Sequence, residues 1–319
     1  GLMEDEYSPQ ELDDAVEVIN WLAAQDWCSG SVGMMGISWG GFNGLQVAAL
    51  APEALKAVIT LCSTVDRYAD DIHYKGGCLL GENFGWSTNM LSYSSRPPDP
   101  VLVGDKWREM WLHRLENMSL NLSTWMRHQH RDGFWEHGSV CEDYSAIKAA
   151  VLSIGGWHDG YRNTISHLVE NLSSPIKGIV GPWIHKYPHY AGPSPAIGFL
   201  QEAKRWWDQY LKSEETGVSD DPDYRVYLMD SIKPERWLPE RSGRWIAEQD
   251  WPSTAINAVT FELKDNHVLE ERKDSDSCIQ PSSLDDCKVS SPQDCGFAAG
   301  EYFPFAFGDE LPSEQTPED

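Results

Sequence analysis

The sequence predicts an α/β fold in which helices cover both faces of a parallel sheet. Short, almost wholly apolar segments lie at 31–36, 56–62, 150–155 and 178–180. Strands that a parallel sheet buries on both sides have this composition. Helical patterns alternate with these segments, and that alternation favours parallel pairing.

The first helix has a recognisable start. Ser8 can cap it, Pro9 suits its first position, and Glu11 completes a capping box. Apolar residues then recur at helical spacing to about Gln25. Later stretches with helical patterns are 40–50, 164–172 and 198–211.

Composition changes divide the chain into four predicted segments. Residues 66–147 lack a clear strand pattern and are rich in Trp, His, Arg and Met, which predicts a helical cap inserted in the core. From about 220 the alternation of 224–229 and 258–263 predicts an antiparallel β-domain. The predicted segments are a first core segment (1–65), a helical cap (66–147), a second core segment (148–218) and a C-terminal β-domain (219–319).

The core and the β-domain both look incomplete. Only one helix precedes the strand at 31–36, so we expect a sheet that lacks strands on its N-terminal side, with this strand at an open edge. The last segment is too short to close a β-sandwich. We therefore expect a chain truncated at both ends.

The charge of the chain argues against two classes of partner. Its net charge is −25, from 25 basic and 50 acidic residues. Such a field repels nucleic acid and anionic membranes. No apolar run reaches the roughly 18 residues of a membrane span, so neither partner is expected. A homo-oligomer is left open.

The seven cysteines suggest neither a metal site nor a disulfide framework. Three of them cluster in a polar stretch, but their spacing matches no zinc pattern. No metal and no cofactor are predicted, and a cytoplasmic location is favoured although the compartment is not determined. The cluster is Cys278, Cys287 and Cys295, and the thiols expected to be buried are Cys28, Cys62, Cys78 and Cys141.

The segment 36–40 reads Gly-Ile-Ser-Trp-Gly and matches the G-x-S-x-G nucleophile elbow. An apolar strand precedes it and a helix follows, which is the context that the motif requires. The turn raises the Ser38 hydroxyl to the carboxyl edge of the sheet, at a helix N-terminus where developing negative charge is stabilised. The backbone N–H of Trp39 is the expected oxyanion donor.

A base and an orienting acid are needed to activate a serine, and in α/β-hydrolases they follow later sheet strands. Asp159 follows the strand at 150–155, and His185 follows the strand near 180. Neighbouring parallel strands would bring both side chains beside Ser38. Position alone leaves Asp159 open to a loop-capping role, and His158 and His189 compete with His185.

Three segments resemble the cocaine esterase and Xaa-Pro dipeptidyl-peptidase family of serine hydrolases, over about residues 7–251. They read GMMGISWGGFNGLQVAAL, GGWHDGYRNT and GPWIHKYPH. The resemblance implies that Ser38 is the nucleophile, Asp159 the acid and His185 the base. It also implies an α/β-hydrolase core, a helical cap and a C-terminal jelly-roll β-domain.

The resemblance implies hydrolysis of a small-molecule ester or amide, or of a short peptide, through an acyl-enzyme on Ser38. The family's second oxyanion donor is a tyrosine from an upstream loop, for which the sequence shows no counterpart. The rival hypothesis is a non-catalytic binding domain of the same fold, or an inactive fragment. Residues considered as pocket lining are Trp157, Asp70, Asp71, His73 and Trp86.

Overall fold

A computed structural model describes residues 2–264, 268–272, 296–305 and 308–313. Within these ranges the strands are β1 Val32–Ile37, β2 Leu55–Leu61, β3 Tyr74–Lys75, β4 Cys78–Leu79, β5 Ala150–Gly156, β6 Ile176–Gly181, β7 Tyr224–Met229, β8 Gly243–Glu248, β9 Phe261–Lys264 and β10 Val268–Glu271. The α-helices are α1 Pro9–Ala23, α2 Trp39–Ala49, α3 Glu82–Ser94, α4 Pro100–Val103, α5 Trp107–Asn117, α6 Asn121–Trp125, α7 Gly133–Glu136, α8 Thr164–Asn171 and α9 Phe199–Lys212. Short 3₁₀ turns lie at Gly104–Lys106, Val140–Glu142, Tyr144–Ala146 and Val218–Asp220.

The central sheet has the strand order β1-β2-β5-β6-β7-β8. The first five strands pair in parallel, and β8 pairs antiparallel with β7. The mostly parallel sheet predicted from the sequence is thus confirmed. In the described chain β1 lies at the edge of this sheet, as its sequence position predicts.

The boundary predicted between residues 218 and 219 does not separate two sheets. The sequence predicts a β-domain of its own at 219–319, but β7 and β8 extend the central sheet. Tyr224 and Val226 are buried, and they pack in the core that Val180 of β6 also joins. In the described chain the strands that pair outside this sheet after 219 are β9 and β10, which form an antiparallel ladder. The cysteines at 278, 287 and 295 lie outside the described residues.

Two apolar layers sandwich the sheet because successive strand residues point to opposite faces. Val58 of β2 packs in a layer with side chains of α1, α2 and α8, such as Leu12, Leu45 and Leu168. The adjacent Ile59 packs in the opposite layer with α9. The predicted helices at 164–172 and 198–211 correspond to α8 and α9.

The insertion between β2 and β5 is mainly helical, as predicted, and contains α3 to α7. It differs from the prediction in two features. It contains the short β3–β4 hairpin, although its sequence shows no clear strand pattern. It also contains α3, which no clear pattern in the sequence indicates. The cap contains a buried aromatic cluster that includes Tyr74, Trp125 and Trp135.

The four cysteines of the described residues differ in burial. Cys62 is buried and Cys28 and Cys141 are half-buried, but Cys78 is exposed on the β3–β4 hairpin, contrary to the expectation that its thiol is buried. None of the helices in the described ranges combines the length and apolarity that a bilayer span requires.

Candidate active site

Ser38 lies in a strained turn between β1 and α2. Its φ and ψ angles are 57° and −124°, a conformation that L-residues rarely adopt. The Ser38 N–H donates to the Leu61 carbonyl of β2 at 2.9 Å, which holds the turn at the sheet edge. The backbone at Gly36 and Gly40 comes very close here, since a Cβ on Gly36 would lie 2.2 Å from the Gly40 carbonyl carbon. The first glycine of the motif is therefore required by contact.

The helix that follows Ser38 is held by α1. The Glu11 carboxylate accepts hydrogen bonds from Trp39 Nε1 at 2.9 Å and from Asn43 Nδ2 at 2.8 Å. Ser8 does cap α1, because its hydroxyl accepts from the Glu11 N–H at 3.3 Å. The Glu11 carboxylate therefore binds the elbow helix α2. In the predicted capping box the same carboxylate would instead turn back to the Ser8 backbone N–H.

The Trp39 N–H stands at the N-terminus of α2, where it has no intrahelical acceptor. The Ser38 carbonyl accepts hydrogen bonds from the N–H groups of Gly41 and Phe42, at 2.8 and 2.9 Å. No backbone acceptor for the Trp39 N–H is found in the described part of the chain. This N–H is therefore placed beside Ser38 as an available donor.

Asp159 and His185 meet beside the carboxyl ends of β5 and β6. His185 Nδ1 lies 2.9 Å from Asp159 Oδ1, and both side chains are buried. Burial alone would raise the pKa of Asp159, but the His185 charge and hydrogen bond, with help from the Cys62 thiol and the Tyr161 N–H, lower it. The carboxylate is therefore ionised at neutral pH and directs the imidazole.

The two competing histidines lie elsewhere. His158 Nε2 is buried and has no hydrogen-bond partner among the described residues, and burial lowers the pKa of this ring to about 4. His189 stacks on Phe199 with a centroid distance of 5.6 Å. Of the three histidines, His185 is the one that pairs with Asp159 in the described structure.

Ser38 and His185 both line a cavity of about 410 Å³. No hydrogen bond joins their side chains in the described structure. Catalytic hydrogen bonds are often long before substrate binds. The shared cavity therefore places Ser38 and His185 where one substrate could contact both. The other lining residues are Tyr7, Trp39, Phe42, Ile72, Gly81, Glu82, Gly85, Trp86, Asn89, Tyr161, Glu301, Phe303 and Phe305.

Of the pocket residues suggested by the sequence, Trp86 lines this cavity and the others do not. Trp157 is directed away, with its Nε1 donating to the Tyr227 carbonyl at 2.8 Å. Asp70 is buried and forms an ion pair with Lys75. His73 is wholly buried within the cap. These three side chains bind partners within the fold, so they stabilise local structure and do not face the cavity.

His73 belongs to a buried polar network that joins the N-terminal segment to the cap. Its Nε2 lies 2.8 Å from Glu6 Oε2, and its Nδ1 lies 2.8 Å from Asn83 Oδ1. Arg67 and Trp86 also donate to the Glu6 carboxylate. Burial alone would lower the pKa of His73, but the charge and hydrogen bond of Glu6 raise it. Burial alone would raise the pKa of Glu6, but His73 and Arg67 lower it.

Asp71 lies next to this network and touches the cavity wall through Tyr161. The Tyr161 hydroxyl donates to Asp71 Oδ1 at 3.1 Å, whereas Asp71 Oδ2 is buried and has no partner in the part of the chain that the structure describes. Burial raises the pKa of Asp71 to about 6, partly opposed by the charge of His73. This carboxyl group therefore titrates close to neutral pH, one side chain away from the cavity.

Phe303 and Phe305 form a wall of the cavity that the sequence analysis does not identify. Phe303 and Phe305 pack edge-on to the His185 ring, with centroid distances of 5.0 and 5.3 Å. The backbone N–H of His185 donates to the Pro304 carbonyl at 3.2 Å. The run of aromatic residues at 302–305 within an acidic tail was the available signal. Tyr7, which precedes α1, also lines the cavity and was not singled out.

This chain is similar to one known protein family and to several known hydrolases. The model of the X-Pro dipeptidyl-peptidase (S15) family matches residues 1–187, a stretch that includes Ser38, Asp159 and His185. Cocaine esterase from Rhodococcus sp. (strain MB1 Bresler) is 25% identical over 98% of this chain and 59% of its own length. Xaa-Pro dipeptidyl-peptidase from Lactobacillus delbrueckii subsp. lactis is 22% identical over 80% of this chain and 33% of its own length.

Solved structures show the same fold. A CocE/NonD family hydrolase from Staphylococcus aureus superposes with a TM-score of 0.65 at 22% identity, over 86% of this chain and 44% of that one. An α-amino acid ester hydrolase superposes with a TM-score of 0.53 at 20% identity, over 76% of this chain and 42% of that one. The chain therefore spans about half the length, or less, of most of these relatives. It has an α/β-hydrolase core and belongs to the S15 family of hydrolases.

Proposed function

We propose that this chain acts as a serine hydrolase that cleaves an ester or amide through an acyl-enzyme on Ser38. One observation carries the proposal. Ser38 in its strained turn and His185, which pairs with the buried Asp159, line the same cavity. Strain of this kind at a non-glycine residue is typical of a functional site.

In the proposed reaction His185 Nε2 takes the proton of the Ser38 hydroxyl as its oxygen attacks the substrate carbonyl. Asp159 stabilises the resulting imidazolium through Nδ1. The Trp39 N–H and the α2 dipole stabilise the oxyanion. His185 then returns the proton to the leaving group, and water releases the acyl group by the same steps.

The proposed substrates are small esters, amides or short peptides. A cavity of about 410 Å³ fits one acyl group with part of its leaving group. Its walls are aromatic, and Glu82 and Glu301 are its carboxylates. The aromatic walls can pack against an aromatic ring of the acyl group. Aromatic faces and carboxylates also attract cations, so the lining favours an acyl group that carries an aromatic ring or a free amine. Cocaine esterase and Xaa-Pro dipeptidyl-peptidase, by name, represent the two substrate classes to compare.

Fluorophosphonate labelling of the full chain tests the nucleophile. We expect one modified residue, Ser38, with no labelling in Ser38→Ala and strongly reduced labelling in Asp159→Asn. The matched control is Ser139→Ala, which changes a buried serine of the cap that does not line the cavity and should leave the labelling of Ser38 in place. A folded wild-type chain that is not labelled would favour the rival hypothesis of a non-catalytic domain.

A substrate panel then separates the two classes. The panel contains p-nitrophenyl esters and Xaa-Pro anilides, each with and without a free α-amino group. Faster turnover of the amine-bearing members, lost in a Glu82→Gln, Glu301→Gln double variant, would support the acidic lining. Equal turnover of both sets would contradict that part of the proposal.

A further inference from the structure

A third buried side chain accompanies the Asp159–His185 pair. Cys62 follows the end of β2, the strand next to β5 in the sheet. Its Sγ, a carboxylate oxygen of Asp159 and a ring nitrogen of His185 all lie within 4.8 Å of one another. The three residues are 2%, 1% and 5% exposed. Three neighbouring strand ends thus direct a sulfur, an oxygen and a nitrogen to one point.

Backbone geometry places Cys62 there. Its φ angle is 48°, in the left-handed region that residues with a Cβ seldom adopt. Its N–H donates to the Ile154 carbonyl of β5 at 3.0 Å. This hydrogen bond ties the residue to the strand that leads to Asp159.

One oxygen of the Asp159 carboxylate lacks an N–H or O–H donor in the described structure. Its Oδ1 faces His185 Nδ1 and the Tyr161 N–H. Its Oδ2 is buried, and no N–H or O–H donates to it in the described structure. Buried carboxylate oxygens normally have such partners, and the neighbouring thiol is only a weak donor. A buried carboxylate with one oxygen that lacks such a donor, and with a sulfur and an imidazole nitrogen within 4.8 Å of a carboxylate oxygen, is suited to a cation.

We propose that Cys62, Asp159 and His185 bind one borderline-soft divalent cation of the Zn²⁺ type, and that this cation inhibits the enzyme. Thiolate, imidazole and carboxylate are the ligands that zinc takes in proteins. Tetrahedral Zn²⁺ holds neighbouring ligand atoms about 3.3–3.7 Å apart, judged from its usual bond lengths. Side-chain shifts of about 1 Å bring the three atoms into that range. Hard cations such as Mg²⁺ prefer oxygen ligands and are excluded from the proposal.

Binding has a defined proton balance. In the metal-free site the proton on His185 Nδ1 is shared with Asp159. When Nδ1 bonds to the cation, that proton transfers to Nε2, and the Cys62 thiol releases its proton to solvent. One proton is released for each cation bound, and no oxidant or reductant is involved.

Inhibition follows from the new tautomer and rests on the proposed function. With a proton on Nε2, His185 has no lone pair for the Ser38 hydroxyl proton. Asp159 no longer faces an N–H of the imidazole. General-base activation of Ser38 and cation binding therefore exclude each other.

Cadmium binding tests the site without turnover, because cadmium thiolate has an ultraviolet charge-transfer band. The full chain is used with Cys278, Cys287 and Cys295 replaced by Ser, so that these thiols do not bind the probe. We expect one equivalent of Cd²⁺ to bind, with binding weakened more than about tenfold in Cys62→Ser and Cys62→Ala. Cys141→Ser is the matched control, since this half-buried thiol contacts Arg131 in the cap region.

Zinc inhibition is the second measurement. Zn²⁺ should block fluorophosphonate labelling of Ser38, and EDTA should restore it. Each Cys62 variant is compared with its own metal-free sample and should label equally with and without Zn²⁺. Unchanged Cd²⁺ absorption in a folded Cys62 variant, or no absorption in the parent chain, would overturn the proposed site. A chain that binds Cd²⁺ but never labels would overturn the proposed function and leave the site supported.

Discussion

Replacing Asp71 with asparagine is expected to stabilise the fold at neutral pH far more than at pH 4.5. The side chain is buried, and in the described structure only its Oδ1 has hydrogen-bond partners, the Ile72 N–H at 2.7 Å and the Tyr161 hydroxyl at 3.1 Å. Asparagine keeps that acceptor oxygen and removes the ionisable group. The variant thus tests the cost of charging this position.

The magnitude follows from the two pKa values. The pKa of Asp71 is about 6 in the fold and 3.8 as the reference value for the unfolded chain. Because the folded pKa is raised, the penalty is absent when the group is protonated in both states. It grows as pH rises from 3.8 to 6 and stays constant above. At about 1.4 kcal/mol for each pKa unit, the full penalty is about 3 kcal/mol, of which about 2 kcal/mol develops between pH 4.5 and 7.5.

Urea unfolding of the wild type and Asp71→Asn at pH 4.5, 6.0 and 7.5 measures this difference. We expect the free energy of unfolding of the variant, relative to the wild type, to rise by about 2 kcal/mol across the series. Asp105→Asn, at an exposed position of the cap, is the control and should show no comparable trend. A difference between Asp71→Asn and wild type that is the same at all three pH values would refute the reasoning.

Two further predictions concern the elbow and the cavity wall. Gly36→Ala places a Cβ 2.2 Å from the Gly40 backbone and should destabilise the fold by about 3 kcal/mol or more, whereas Gly40→Ala, with nothing within 4 Å of its Cβ, should stay within about 1 kcal/mol of the wild type. Equal urea midpoints for the two variants would contradict the contact argument. Phe303→Ala removes an aromatic wall beside His185 and should raise KM for p-nitrophenyl benzoate about tenfold, with little change for p-nitrophenyl acetate. An equal rise in KM for both esters would indicate that Phe303 does not contact the acyl group.

The elbow and the strand-end residues were predictable because each depends on local sequence. The G-x-S-x-G segment between an apolar strand and a helix is recognisable from neighbouring residues, although the Leu61 carbonyl of β2 also holds the turn. Asp159 and His185 were expected beside Ser38 because parallel strands end at one edge of the sheet, although position alone left His158 and His189 open and the family resemblance made the assignment. That rule needs only the strand positions, which the apolar segments indicate.

Strand partners were less predictable. The alternation in Tyr224–Met229 suggests a separate β-domain, yet β7 pairs in parallel with β6. A short strand carries little information on its partner, because partners are chosen by burial. Tyr224 and Val226 cover one end of the same core as Val180, and this contact decides the pairing.

Residue type and spacing alone specify the fold class, the elbow at Ser38 and the order of the residues around it, because these features depend on local patterns. Folding in three dimensions was needed to bring Phe303 to His185, 118 positions apart in the chain, and Cys62 to Asp159. The folded chain also pairs His73 with the buried Glu6 and turns Trp86 to the cavity. These contacts join distant segments, so their energies depend on what each side chain meets after folding.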